Sequence, residues 1–228
     1  MMFLQGVAMI ALTVVMYILS RKLYTKFNFP ILNPVLITSI SVIMILLLFR
    51  LDYHSYMVGG QWINQLLGST VVCLAFPLYL NRHKILKYFK TIFVSVLTAV
   101  TLNFSLIYFS LKLLGYGRED IVTLLPRSIT AAVGVQVSHQ LGGEDTVTIM
   151  FIIATGLVGS MIGATLVRMT NFQTSIARGM TFGNASHAFG TARALEMDLE
   201  SGAFSSIGMI LSAVLSSVML PILLMLFY

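Results

Sequence analysis

The sequence predicts an all-α fold, a polytopic transmembrane helical bundle, and three observations carry that reading. Only 10% of the 228 residues are charged and 57% are hydrophobic, with a mean hydropathy of +0.92; a soluble domain carries about 25% charged residues. The apolar residues come in long runs of about 15 to 25, the length a hydrocarbon core of ~30 Å asks of a helix, and not as the alternating ten-residue strands of an outer-membrane barrel. Basic and acidic residues also sort into different loops, as topology signals do. We expect one integral membrane domain over 1–228 with about seven or eight membrane segments, some broken or re-entrant. Polar breaks in both halves point to internal inverted repeats, although no sharp sequence repeat is visible.

In chain order, the first span is expected at 3–20. No basic residue precedes it and no small-residue cleavage site follows, so it reads as a retained helix and not as a signal peptide. The second, 31–49, carries a weak break at Asn33–Pro34. The third, 66–81, is short, has Trp62 before it as an interfacial anchor, and holds Gly68–Ser69–Thr70 ahead of Pro77. It also contains the single cysteine, Cys73, which excludes an intrachain disulfide and is expected to be a small buried hydrophobe. Spans at 91–114, 147–167 and 203–227 follow. Within the fifth, Gly156, Gly159 and Gly163 form a small-xxx-small row that suits close helix packing. Two further segments, 121–139 and 179–196, are half polar and contain glycine.

Loop charges orient these segments. Arg21, Lys22 and Lys26 follow the first span, Arg82, Lys84, Lys87 and Lys90 the third, and Arg168 and Arg178 flank another loop. The acids, Asp52, Glu119, Asp120, Glu144, Asp145, Glu196, Asp198 and Glu200, lie elsewhere. The positive-inside rule places loops 21–28, 82–90 and 168–178 in the cytoplasm and the N-terminus outside. The signs then agree only if 121–139 enters the membrane and returns to the face it left.

The two half-polar segments hold the candidate site. In the first, Pro126 suits the start of a new helix, whose free N–H groups attract anions. Arg127, Ser128 and Thr130 follow it. In the second, Gly183, Asn184, Ser186, His187, Gly190, Thr191, Arg193 and Glu196 crowd one stretch. Read as a continuous helix, it puts Gly183, Ser186, His187, Gly190 and Arg193 on one face, with Glu196 placed to hold Arg193 across one turn. Ionisable residues inside a membrane mark functional sites by default. We take Arg127, Ser128, Thr130, Asn184, Ser186, His187, Thr191 and Arg193 as candidate solute-binding residues, with His187 taking up a proton as the solute arrives. Asn33, Pro126, Gly183, Gly190 and Glu196 are supporting residues. The competing reading is a polar helix–helix seam, since small residues and hydroxyls also join membrane helices.

Other chemistries are disfavoured. His54, His83, His139 and His187 are scattered without metal-ligand spacing. Adjacent Ser186 and His187 do not make a hydrolase triad, and no phosphate-cradling glycine–lysine loop is present. We expect no metal, no cofactor, no catalytic residue and no enzymatic activity. The net charge of +6 sits in topology-setting loops, which argues against a nucleic-acid partner. Two guanidinium groups on broken helices suit a small carboxylate, gripped through two hydrogen bonds.

Leu124–Leu125–Pro126–Arg127–Ser128–Ile129–Thr130, the Gly142–Gly143 turn, the stretch Gly183 to Glu196 and Gly202–Ala203–Phe204–Ser205–Ser206 closely resemble the LrgB/CidB family over nearly the whole chain. The resemblance implies a bacterial plasma-membrane protein working with a small holin-like partner of the CidA/LrgA type, in control of murein hydrolase activity, autolysis and cell death. The same family includes carriers of pyruvate, glycolate and glycerate. Two functions therefore stand. One is a secondary carrier of small monocarboxylates; the other is a holin-like pore or regulator of lysis that assembles as a homo-oligomer in the lipid bilayer.

Overall fold

The structure, a computed structural model, describes residues 2–27, 32–73 and 75–227. Residues 28 and 31, at the end of the first expected loop and the start of the second expected span, lie outside the described residues. Among the described residues the regular structure is helical, and the chain divides into two compact units, Met1–Thr70 and Val71–Tyr228.

The first unit holds α1 (Met2–Phe27), α2 (Pro34–Leu48) and most of α3 (Tyr53–Cys73). Asn33 is the N-cap of α2: the Val35 N–H donates to its Oδ1 at 2.9 Å, and Pro34 occupies the first turn. The Asn33–Pro34 pair therefore starts a helix and does not break one. Helix α3 packs on α1, with Gly6 close to Val58 and a Thr13–Tyr56 hydroxyl hydrogen bond of 3.0 Å. The expected span at 66–81 is corrected in two ways. Asp52 caps α3 through the Ser55 N–H (2.9 Å), so the helix begins at Tyr53 and runs through Gly68–Thr70 without a break. Cys73 is exposed, not buried.

The second unit contains α4 (Ala75–Leu80), the short basic α5 (Arg82–Lys87), α6 (Phe89–Leu113), α7 (Arg118–Leu124), α8 (Ala131–Leu141), α9 (Asp145–Met169), α10 (Ser175–Met197) and α11 (Leu199–Phe227). Helices α1, α6, α9 and α11 are long and apolar enough to cross a membrane, and α2 is a shorter apolar helix. With its long apolar helices, the chain is a multi-pass membrane protein.

The half-polar segments are hairpins. Between α7 and α8 the chain passes through a 3-10 turn, Leu125–Ser128, and reverses. The Glu144 N–H donates to Thr123 Oγ1 (2.9 Å) and the Thr148 hydroxyl to the Thr123 carbonyl (2.9 Å), so the far end of α8 lies beside α7. Ser138 and Thr148 share a buried hydrogen bond of 2.7 Å that closes the base. The first hairpin thus enters and returns.

The continuous-helix reading of 179–196 is overturned by the same kind of contact. His187 adopts φ 40°, ψ −129°, and α10 folds back there into two arms, 175–186 and 188–197. A Cβ at Gly190 would sit 2.5 Å from the Phe182 carbonyl oxygen, and Arg178 pairs with Asp198 at 3.6 Å. In an unbroken helix those last two residues would be about 30 Å apart. Chain order is therefore hairpin, span, hairpin, span. Since α9 crosses once between them, the second pair has the opposite sense to the first, an inverted arrangement.

This second reversal also corrects the charge segregation. Asp198 pairs with Arg178, and Glu200 with Lys84 at 3.5 Å, so these acids share an end with basic loops. One apolar cluster buries each hairpin: Phe104, Tyr108, Ile121, Val122, Leu125 and Leu220 around the first, and Ile92, Val96, Met180, Phe204 and Ile207 around the second.

Candidate functional site

The first hairpin tip is built from Leu125 to Thr130. Pro126 lacks a donor and fits the tight turn, whose closing bond runs from the Ile129 N–H to the Pro126 carbonyl (3.2 Å). Leu125 and Ile129 are buried on either side, which turns Arg127 and Ser128 the other way. Asn103 of α6 holds the turn: its Nδ2 donates to the Leu125 carbonyl and its Oδ1 accepts from the Ser128 hydroxyl, both at 2.9 Å. Thr130 is the N-cap residue of α8 without a side-chain cap bond.

The second tip rests on the α9 glycines. A Cβ at Gly163 would meet the Phe182 ring at 2.5 Å, and one at Gly156 would meet the His187 ring at 2.5 Å; Ser186 lies against Gly159. The row expected to serve packing does so, and its partner is the first arm of the second hairpin. His187 Nε2–H donates to the Ile152 carbonyl at 3.0 Å, a bond that requires the proton on Nε2. The ring is buried against α9 and Phe189 and holds a backbone conformation that L-residues avoid. Asn184 ties three elements, donating to Ser95 of α6 (3.0 Å) and accepting from Ser212 of α11 (2.8 Å). The Thr191 hydroxyl lies 2.9 Å from both the His187 carbonyl and Ser205 Oγ. Gly183 lets the arm lie directly on the Ser205 backbone.

Two clefts flank this first arm and meet at the first tip. The larger, of about 740 Å³, runs between the arm and α6; the smaller, of about 450 Å³, runs between the arm and α9. Arg127, Ser128, Thr181 and Ala185 line both. Their walls extend to Phe172 and Leu166, toward the end that carries Arg178 and Asp198, and include nothing from 131–148. Arg127 is the charged residue in the linings. Its guanidinium reaches Thr155 Oγ1 at 3.4 Å, and among the described residues no carboxylate pairs with it. Helix α8 and arm 188–197 both start at the tips, which puts the positive end of each helix dipole there.

The structure therefore brings Arg127, Ser128, Asn184 and Ser186 to the clefts, with Pro126 and Gly183 shaping the two arms. It does not bring Thr130, His187, Thr191 or Arg193 into either lining. Arg193 pairs with Glu196 on the returning arm, and the two-guanidinium arrangement reduces to one. Gly190 packs on Phe182, and Asn33 belongs to the first unit. Sequence reasoning missed Asn103, Ser95, Thr155 and Ser212. An asparagine in the middle of an apolar span is itself a signal, because its amide must find a partner away from water.

No solved structure matches the chain. Its sequence is 62% identical to holin-like protein CidB of Staphylococcus epidermidis and 60% identical to holin-like protein CidB of Staphylococcus aureus, over 99% of each chain. It is 36% identical to the protein YxaC of Bacillus subtilis over 98% of this chain and 97% of the relative. The model of the LrgB-like family matches residues 13–226, and the chain belongs to that family of membrane proteins.

Proposed function

We propose that this chain is a non-enzymatic secondary carrier for small monocarboxylates. The observation that carries the reading is the convergence of two membrane hairpins on the Arg127 guanidinium, which no carboxylate pairs with among the described residues, at the inner end of two clefts. Half-helices with N-termini near the bilayer middle and substrate groups between them are a carrier device. One cation in the linings, with no acid beside it among the described residues, favours a monovalent anion, and Ser128, Ser186 and Asn184 offer groups for a hydroxyl or oxo oxygen beside the carboxylate. The clefts lead to the end bearing Arg178, so the conformation fits one with the solute path open on that side.

The relatives' names favour a second reading, a holin-like membrane protein. It would work with a small partner of the CidA/LrgA type and form a homo-oligomer in the bacterial plasma membrane. Purified protein in liposomes separates the two. A carrier gives saturable uptake of pyruvate or glycolate that Arg127→Ala abolishes, and it retains a trapped dye. Dye release with no saturable uptake would overturn the carrier reading.

A further inference from the structure

We propose that Asn103 is a positioning residue that aims Arg127 at the solute; the inference rests on the carrier reading. The Arg127 side chain is barely pinned by its own contacts, since among the described residues its side chain bonds only Thr155, at a long 3.4 Å. Its direction must therefore come from the backbone beneath it. That backbone is the 3-10 turn Leu125–Ser128, closed internally by a 3.2 Å bond from the Ile129 N–H to the Pro126 carbonyl. Asn103 spans the turn from outside, gripping the Leu125 carbonyl and the Ser128 hydroxyl at 2.9 Å each. Those two groups bracket Pro126 and Arg127. One amide thus fixes both ends of the two-residue stretch that carries the charge.

The rest of the environment supports a role in aim. Phe104, the next residue on α6, is buried in the same cluster as Leu125, so α6 is locked in register with the tip. Asn103 itself lines the larger cleft beside Arg127 and Ser128. Eight residues earlier, Ser95 of α6 receives the Asn184 amide of the other hairpin. The same helix therefore references both sides of the cleft. A carboxylate held by a planar fork is sensitive to the angle of that fork, whereas a flexible amine adapts.

The test is a double-mutant cycle on monocarboxylate uptake in liposomes, with Asn103→Ala and Arg127→Lys alone and together. Asn103→Ala is expected to raise KM on the order of tenfold while leaving Vmax within about twofold. In the Arg127→Lys background, the same change should shift KM by less than about twofold, because the amine no longer depends on the turn. Multiplying effects, or a loss of Vmax with unchanged KM, would make Asn103 a structural brace and overturn the inference. If Asn103→Ala does not fold, Asn103→Leu keeps the volume, removes both bonds and should show the same dependence on Arg127; full effect in both backgrounds overturns it. Wild-type protein without saturable uptake would instead remove the carrier reading on which Asn103 depends.

Discussion

Gly183→Ala tests the packing that creates the second hairpin. The added methyl would be directed at the backbone of α11, against the Ser205 carbonyl oxygen, 3.0 Å from its carbon and 2.9 Å from the Met209 nitrogen. Ordinary contact starts at 3.4 Å, so the arm or α11 must withdraw by roughly 1 Å, and neither obstacle is a side chain that can rotate away. Gly179, one turn earlier, is confined in the same way, with a would-be Cβ 2.6 Å from Phe204 Cβ. The arm therefore cannot tilt about that end to make room. Overpacking of this kind costs about 1–3 kcal/mol. For a chain of this size, about 2 kcal/mol corresponds to roughly 4–8 °C in Tm. Thermal unfolding of the purified protein in detergent measures it, with Gln140→Ala as control, at an exposed position of α8. An unchanged Tm for Gly183→Ala beside an unchanged control would refute the close-packed hairpin.

Other consequences can be measured in the same preparations. At His187, φ is 40°, a backbone that favours glycine; both His187→Gly and His187→Ala lose the Ile152 bond, yet glycine should be the less destabilising by about 1 kcal/mol, and alanine doing better would remove the strained turn. Asp198 caps α11 by accepting from the Ser201 N–H at 2.7 Å, so Asp198→Ala should cost about 1 kcal/mol. The Ser201 hydroxyl, then its backbone N–H, holds the Asp198 carboxyl below its ordinary value of 3.8. A lowered folded value means the contribution is complete above the ordinary value and lost as pH falls through the folded one. The wild-type advantage over Asp198→Ala should accordingly stay level from about pH 8 to 5 and shrink below about pH 4, and a decline above about pH 5 would contradict that cause. On a Cys73→Ser background, single cysteines at 118 and 140, both exposed, should label from one face of the membrane and those at 174 and 199 from the other. Labels at 174 and 199 on different faces would exclude the second hairpin.

Much of this architecture is legible in the residues, for reasons that differ between the two hairpins. Pro126 and the misfit of loop charges announce the first reversal, because proline breaks the backbone ladder and topology requires the return. Nothing comparable marks the second. His187 stands at the turn where glycine would be the usual residue, and Gly183, Ser186, Gly190 and Arg193 keep helical spacing across it. The reversal is imposed by tertiary packing on Gly156, Gly159, Ser201 and Ser205, which no local pattern reveals. The same blind spot misplaces Arg193: helical arithmetic keeps it near His187, whereas the fold carries it back toward the membrane surface and Glu196. Arg127 and Ser128 lie in the turn of the first hairpin, but their anchor, Asn103, is 24 or more residues away on α6, where an asparagine amid apolar residues shows that a partner exists but not which one.

The second hairpin also constrains how the chain can be made. Its first arm is about 18 Å long, roughly half a bilayer, and too short to rest in lipid as an independent span. One side of that arm fits the glycines of α9, which leave the ribosome earlier; the other fits Ser201, Ser205 and Met209 of α11, which leave it later. Until α11 is synthesised and inserted, Asn184 lacks the Ser212 hydroxyl and the Gly179–Gly183 backbone lacks the surface it was shaped to meet. Packing of the second hairpin is therefore complete only once α11 closes over it. A nascent chain halted before Leu199 would carry every residue of both tips without the α11 surface on which the second hairpin packs.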